Sequence, residues 1–242
     1  MTDAHIIIAG QSNALGYLNN GPAPYVNTAR VQIWADTNGD GEGDAWNYMR
    51  PGVNTGMPAN PTAWGPEVEI ANRWLADNPT GNLWIVKVAK GSTGLAEDAG
   101  QLDWSPNSTG EMFDKATTAT HAAHDNLNGS PYQFGNYDAL MWMQGETDAT
   151  DATKAAAYNA NLTDFLAEAR FDWSVTEVFA GRITDSPALP DNLAVRVAQW
   201  DVDIADAHLE TFKTIGLGMQ PDQIHYADHI GLGDKFYDAW VF

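Results

Sequence analysis

The 242-residue chain contains no cysteine and few cations: 12 Lys and Arg stand against 32 Asp and Glu, a net charge of −20 at neutral pH. The missing thiols exclude disulfides, thiolate zinc sites and cysteine nucleophiles. The missing positive charge excludes nucleic acid and anionic membranes as partners, because a polyanion is repelled, and it favours a neutral ligand. There is no basic leader and no long apolar run; HIIIA near the start is too short for a signal sequence or a membrane span. That pattern suits a cytoplasmic protein, a mature form with its leader removed, or a virion-associated component released by lysis. No internal repeat and no Pro/Gly/Ser linker divides the chain, so a single domain over residues 1–242 is expected. Nothing in the composition bears on the oligomeric state.

What the chain does have is alternation. Strand-like runs appear at HIIIAG, VQIWAD, LWIVKVAKG, DALMWMQGE and VTEVFAGR, and helix-like stretches at Glu67 to Asp77, Glu111 to Asn128, Asp151 to Arg170 and Asn192 to Leu209. A last helix follows the segment around His225. Near-continuous apolar strands separated by helices predict an α/β domain with a central parallel sheet covered on both faces, whose sites gather at the carboxyl ends of the strands. Residues 39–66, rich in Gly, Asn and Pro, read as long surface loops.

Three polar clusters sit at such strand ends: GQSN after the first run, AKGSTG after LWIVKV and QGETD after ALMWM. In GQSN, Gly10 supplies a tight exit and Ser12 is left at the strand end as either a helix cap or a nucleophile. A serine hydroxyl needs a base. Near the C-terminus, Asp222 and His225 are spaced so that both side chains fall on one side of a turn, where the carboxylate fixes the imidazole tautomer and frees the other nitrogen to accept a proton. Acyl transfer also needs donors for the developing oxyanion. Candidates are the backbone N–H of Ser12, the backbone at Gly91 and the side-chain amide of Gln144. Each residue has a structural alternative, namely a cap, a turn glycine or a buried amide; their coincidence at three strand ends favours a site.

Other histidines read differently. His225 and His229 form H-x-x-x-H, a spacing compatible with two metal ligands on one helical face, but the Glu expected after the first histidine of a zinc protease is Tyr226. His121 and His124 belong to an amphipathic helix, His5 begins a strand, and His208 ends a helix, where a cation suits the dipole. The stretch DTNGDGEGDAWN is a glycine-rich acidic turn or, alternatively, a structural calcium loop with Asp36, Asn38, Asp40, Glu42 and Asp44 as oxygen donors; its twelfth place is Asn47 instead of glutamate. Trp46, Trp64 and Trp104 fall in loop-like segments, as anchors in the core or as platforms for sugar rings.

Together GQSN (10–13), WGPE (64–67), AKGST (89–93), QGETD (144–148) and DQIH (222–225) resemble the sialate O-acetylesterase-like, carbohydrate acetylesterase branch of the SGNH hydrolases, over nearly the whole chain and in the same order. The resemblance implies a flavodoxin-like three-layer α/β/α fold with Ser12 as nucleophile, His225 as base, Asp222 as its orienting partner, and an oxyanion hole from Ser12, Gly91 and Gln144. It implies no cofactor and an acetylated carbohydrate as substrate. Glu146, Asp148 and Glu67 are read as hydrogen-bond partners that hold the loops. Ser92 stands where the family often carries a second glycine, and its side chain is expected to narrow the site or shift which amide donates. G-x-S-x-A at Gly10 to Ala14 also approaches the nucleophile elbow of α/β-hydrolases, but a serine at position 12 and an acid three residues from its histidine do not suit that fold. The expected function is removal of O-acetyl groups from a carbohydrate. The alternatives are a polysaccharide-binding or receptor-recognition module with weak or lost activity, and a lipid or thioester hydrolase.

Overall fold

A computed structural model describes residues 3–19, 28–35, 45–56 and 60–241, and among them seven strands form one sheet. Its centre is β1 (Ala4–Gly10), a run of β-branched residues buried along its whole length. On one side β1 pairs in parallel with β4 (Leu83–Ala89) and on the other with β5 (Ala139–Met143). With β2 (Val31–Ala35), β3 (Ala45–Tyr48), β6 (Val178–Arg182) and β7 (Leu209–Lys213), the order is β3-β2-β4-β1-β5-β6-β7.

Two strands depart from the expected pattern. Residues 45–48, expected as loop, form β3, which runs antiparallel to β2 and makes the sheet mixed. Four residues are too short for an alternation to stand out, and the strand is held by its tryptophan. Trp46 lies edge-on to both Trp34 and Trp84 and donates from Nε1 to the Ala123 carbonyl at 3.1 Å. At the other edge, the helix expected to reach Leu209 ends at Ala205, and β7 begins four residues later. His208 therefore lies in a turn, with Nδ1 2.8 Å from Glu177, and caps no helix.

Helices cover both faces. The short α1 (Ser12–Leu15), α2 (Glu67–Asp77) and α6 (His229–Val241) lie on one, with Phe236 of α6 against Phe212 of β7. On the other are α3 (Met112–Leu127), α4 (Ala152–Asp172) and α5 (Asn192–Ala205), from which Asp203 accepts the hydroxyl proton of the neighbouring β7 residue, Thr211. The second face is packed by aromatic rings, Trp142 stacking on Phe165 and Trp104 and Phe113 meeting them edge-on. Trp104 and Trp64 are both buried, which makes them core residues and excludes a sugar-stacking role.

The topology explains where the polar clusters meet. The chain leaves β1 toward β2 but leaves β4 toward β5, in opposite directions along the sheet, so the carboxyl ends of β1 and β4 flank a switch point where a crevice opens.

Candidate active site

The crevice begins with a glycine that nothing else can replace. Gly10 has φ +137°, and a Cβ there would lie 2.0 Å from the Met143 carbonyl oxygen. Its neighbours hold the exit on both sides: Gln11 N–H donates to Met143 O at 2.9 Å and Lys90 N–H to Gly10 O at 3.1 Å. The chain then turns into α1, so Ser12 stands at the top of the sheet, 4% exposed, with the carbonyl accepting from Gly16 and Tyr17 N–H. The N–H groups of Ser12 and Gly91 donate to no other described residue. Gly91 presents bare backbone to the serine: a Cβ added there would sit 3.6 Å from Ser12 Cβ. Ser92 adopts φ +62°, the left-handed region that explains why glycine suits this position. Its exposed side chain lines the cleft.

The C-terminal segment supplies the other wall. His225 Nδ1 is 2.6 Å from Asp222 Oδ2, while Asp222 Oδ1 accepts from the backbone N–H of Ile224 at 2.9 Å and of His225 at 3.0 Å. Partial desolvation raises the Asp222 pKa, but these three donors outweigh it and hold the carboxyl below its ordinary value. Tyr17 packs against the imidazole with ring centroids 4.7 Å apart. Ser12 and His225 line one cleft of about 420 Å3, together with Gln11, Ser92, Glu146 and Ile224. No direct hydrogen bond joins the two among the described residues.

Asn13, quoted in the motif but given no role by it, joins the two ends of the chain. The fully buried amide donates to the Ile224 carbonyl at 3.1 Å and to Glu146 Oε1, and its oxygen accepts from Tyr226 N–H at 2.9 Å. The residue after Ser12 thus grips both flanks of His225. An Asn directly beside a candidate nucleophile was the one available signal, since no spacing rule pairs residues more than 200 positions apart.

Beneath the cleft lies a buried polar layer. Asp148 accepts from Leu95 N–H (2.9 Å to Oδ2) and Ala96 N–H (3.1 Å), tying the loop after β4 to the loop after β5. Desolvation raises its pKa against the bonds from Gln144, Leu95 and Ala96. Glu146 is also buried, and desolvation, only partly offset by Asn13, pushes its carboxyl up to about 7. Gln144, expected as a third oxyanion donor, has partners for its amide within this layer. Its Nε2 donates to Asp148 Oδ2 at 2.6 Å and to Thr93 O at 3.1 Å, and Tyr158 donates to its Oε1 at 3.0 Å. Both amide hydrogens are committed, and the side chain lies under the floor of the cleft. Glu67 stands further away, on the α1 face, where it accepts from Gly65 N–H at 2.8 Å and pairs with Lys87 Nζ at 2.8 Å. Lys87 completes its donors on Leu15 O (3.0 Å) and Thr55 O (2.9 Å), supporting α1 from below. Burial lowers its pKa, countered by Glu67. A single lysine inside LWIVKVA was its sequence signal.

His229 opens α6 while His225 lies in the preceding turn, so the two do not share a helical face. Desolvation lowers the buried His229 to a pKa of about 4, which keeps it neutral. No group of three or more candidate metal ligands occurs among the described residues. The acidic stretch with Asp36, Asn38, Asp40, Glu42 and Asp44 lies outside them.

A sequence model of the family described as carbohydrate esterase, sialic acid-specific acetylesterase, matches residues 3–241. No curated protein sequence matches the chain. Among solved structures, a protein from Arabidopsis thaliana is similar at TM-score 0.77 and 17% identity, covering 99% of this chain and 98% of that one. NanS is similar at TM-score 0.70 and 17% identity, with 98% and 96% covered. A carbohydrate acetylesterase from Xanthomonas citri is similar at TM-score 0.65 and 16% identity, covering 98% of this chain and 55% of that one.

Proposed function

The chain belongs to the sialic acid-specific acetylesterase family of carbohydrate esterases, and from that premise we propose that it is a serine O-acetylesterase whose nucleophile is Ser12. The Ser12 hydroxyl attacks the acetyl carbonyl carbon while His225 Nε2 takes its proton. Asp222 holds the opposite nitrogen and stabilises the imidazolium. The N–H groups of Ser12 and Gly91 face the oxyanion. Collapse of the tetrahedral species expels the sugar oxygen, which receives the proton from His225. Water activated by the same imidazole then releases acetate and restores the serine. Gln144, Asp148 and Glu146 keep the three loops in register.

The observation that carries this reading is the Asp222–His225 pair, 2.6 Å apart, on the wall of the cleft that also holds Ser12. The same cleft favours a neutral sugar. Asp98 and Asp151 line it, and the one lysine or arginine among the described lining residues, Lys154, is paired with Asp98. A carboxylate-bearing sugar would meet repulsion, with no free lysine or arginine to balance it among the described lining residues.

Acetate release from acetylated xylan, O-acetylated sialic acid and p-nitrophenyl acetate tests both statements. Parental protein is expected to deacetylate the neutral polymer faster than the acidic sugar, and Ser12→Ala to lose about 10⁴-fold or more in kcat. A folded Ser12→Ala protein that turns over at the parental rate overturns the nucleophile assignment.

A further inference from the structure

Ser92 follows Gly91 with φ at +62°, a conformation disfavoured for any residue that carries a Cβ. The loop around it is braced on both sides. Lys90 N–H donates to Gly10 O at 3.1 Å; the Thr93 hydroxyl donates to Lys90 O at 2.8 Å and accepts from Trp104 Nε1 at 2.9 Å. Beyond it, Asp148 takes the N–H groups of Leu95 and Ala96. Such bracing holds a disfavoured residue in place, and residues held in this way collect at functional sites. The molecule follows that pattern. Of the four non-glycine residues with left-handed backbone among those described, Leu18 adjoins Tyr17, Gln223 lies between Asp222 and His225, and Ser92 adjoins Gly91. The fourth, Ser174, lies at the opposite end of the sheet, where its carbonyl accepts from Tyr137 N–H ahead of β5.

Of these four, Ser92 alone lines the cleft that holds Ser12 and His225. Its side chain is exposed there, and the hydroxyl bonds to no other described residue. Several polar neighbours on the wall are already engaged: Asp98 with Lys154, Asp151 with the N–H groups of Thr153 and Lys154, and the Thr150 hydroxyl with Thr147 O at 2.7 Å. An acetyl group has no use for the Ser92 hydroxyl. In the proposed mechanism its carbonyl oxygen is served by backbone N–H groups, and its methyl group neither donates nor accepts. What remains to meet Ser92 is the alcohol part of the ester. The described lining residues other than His225 include no aromatic ring, so a sugar in this cleft is read mainly by hydrogen bonds and not by stacking.

We propose that Ser92 is a specificity-determining residue: its hydroxyl, held in the cleft by the left-handed backbone, shares a hydrogen bond with a sugar hydroxyl beside the acetylated oxygen. The inference rests on the acetylesterase reading and adds to it the group that tells a polyhydroxylated alcohol from a plain one. Its effect is confined to the alcohol side of the ester, whereas a displaced Gly91 amide would slow every acetyl ester alike.

The test compares kcat/KM for acetate release from acetylated xylan and from phenyl acetate, whose leaving group has no further hydroxyl, in the parent, Ser92→Ala and Ser92→Gly. The readout is the ratio of the two values. It is expected to fall about fivefold in both variants, the loss of one neutral hydrogen bond. Glycine adopts φ +62° without steric cost, so Ser92→Gly removes the hydroxyl and keeps the loop. An unchanged ratio in both variants overturns the proposal. So does a ratio lost in Ser92→Ala and restored in Ser92→Gly, which makes backbone geometry the cause. A ratio that rises in Ser92→Gly, with phenyl butyrate newly accepted, shows a side chain that only narrows the cleft and also overturns it. Failure of the esterase reading is a different result: the parent itself then releases no acetate from either ester, and the proposal falls with it.

Discussion

The grip of Asn13 on the segment bearing His225 makes the most discriminating prediction. Asn13→Ala removes three hydrogen bonds at once and strands their partners in a buried setting: the Ile224 carbonyl, the Tyr226 N–H and Glu146 Oε1. At about 1 kcal/mol for each partner left unmatched, the folded state should lose about 3 kcal/mol. The effect on turnover should exceed what that loss implies for a protein that stays folded, because the same bonds aim His225 at the cleft. A displacement of about 1 Å in a general base costs on the order of 10²-fold. Urea unfolding, with steady-state hydrolysis of p-nitrophenyl acetate at a concentration where the variant is fully folded, separates the two losses. The expected outcome is a lower midpoint with unchanged slope, and kcat reduced about 10²-fold with little change in KM. A variant within 0.5 kcal/mol of the parent and undiminished in kcat would show that the segment holds itself in place and that the clamp does not position the base.

Glu146 should make stability depend on pH. Its folded pKa of about 7 lies above the ordinary 4.5, so the folded state binds the proton more tightly. The contribution of this group is full below about 4.5 and is lost as pH rises through about 7, a change of about 3 kcal/mol. Glu146→Gln should remove that slope from unfolding free energies measured across this range; an unaltered slope would mean that the carboxyl is not desolvated. Lys87→Met strands the buried Glu67 carboxylate and should cost about 3 to 5 kcal/mol, much of it recovered by adding Glu67→Gln; equal midpoints in urea for the single variant and the parent would contradict the pairing. Asp222→Asn, which spares the geometry but inverts the preferred tautomer of His225, should lower kcat about 10⁴-fold while leaving the thermal midpoint within a few degrees; a loss of less than tenfold would remove Asp222 from the reaction.

Much of the arrangement could be read from the chain because each of those features is local. The β-branched run before Gly10 forms a buried strand wherever it pairs, and the start of α2 at Glu67 and its end at Asp77 follow from its own periodicity. Asp222 and His225 lie within one turn of backbone, so their contact needs no other part of the protein. β3 and β7 were harder. Each is a short edge strand whose identity depends on a neighbour, Trp34 and Trp84 for the first and α5 with β6 for the second.

Gln144 shows the limit most clearly. A glutamine at a strand end next to a serine site has the donors an oxyanion needs, and only the placement of Asp148 and the Thr93 carbonyl around it decides that those donors are occupied. Asn13 is the converse case, a residue without an evident task until residues 224 and 226 are brought against it. The sequence by itself determined the five parallel strands β1, β2, β4, β5 and β6, the glycine exit at Gly10 and the Asp222–His225 pair, since backbone preferences and short-range hydrogen bonds act within a few residues. Tertiary structure alone decided which amides remain free, which carboxyls lose their water and which ends of the chain share a wall. Those properties belong to the low-dielectric space enclosed between segments, and no segment carries that space on its own.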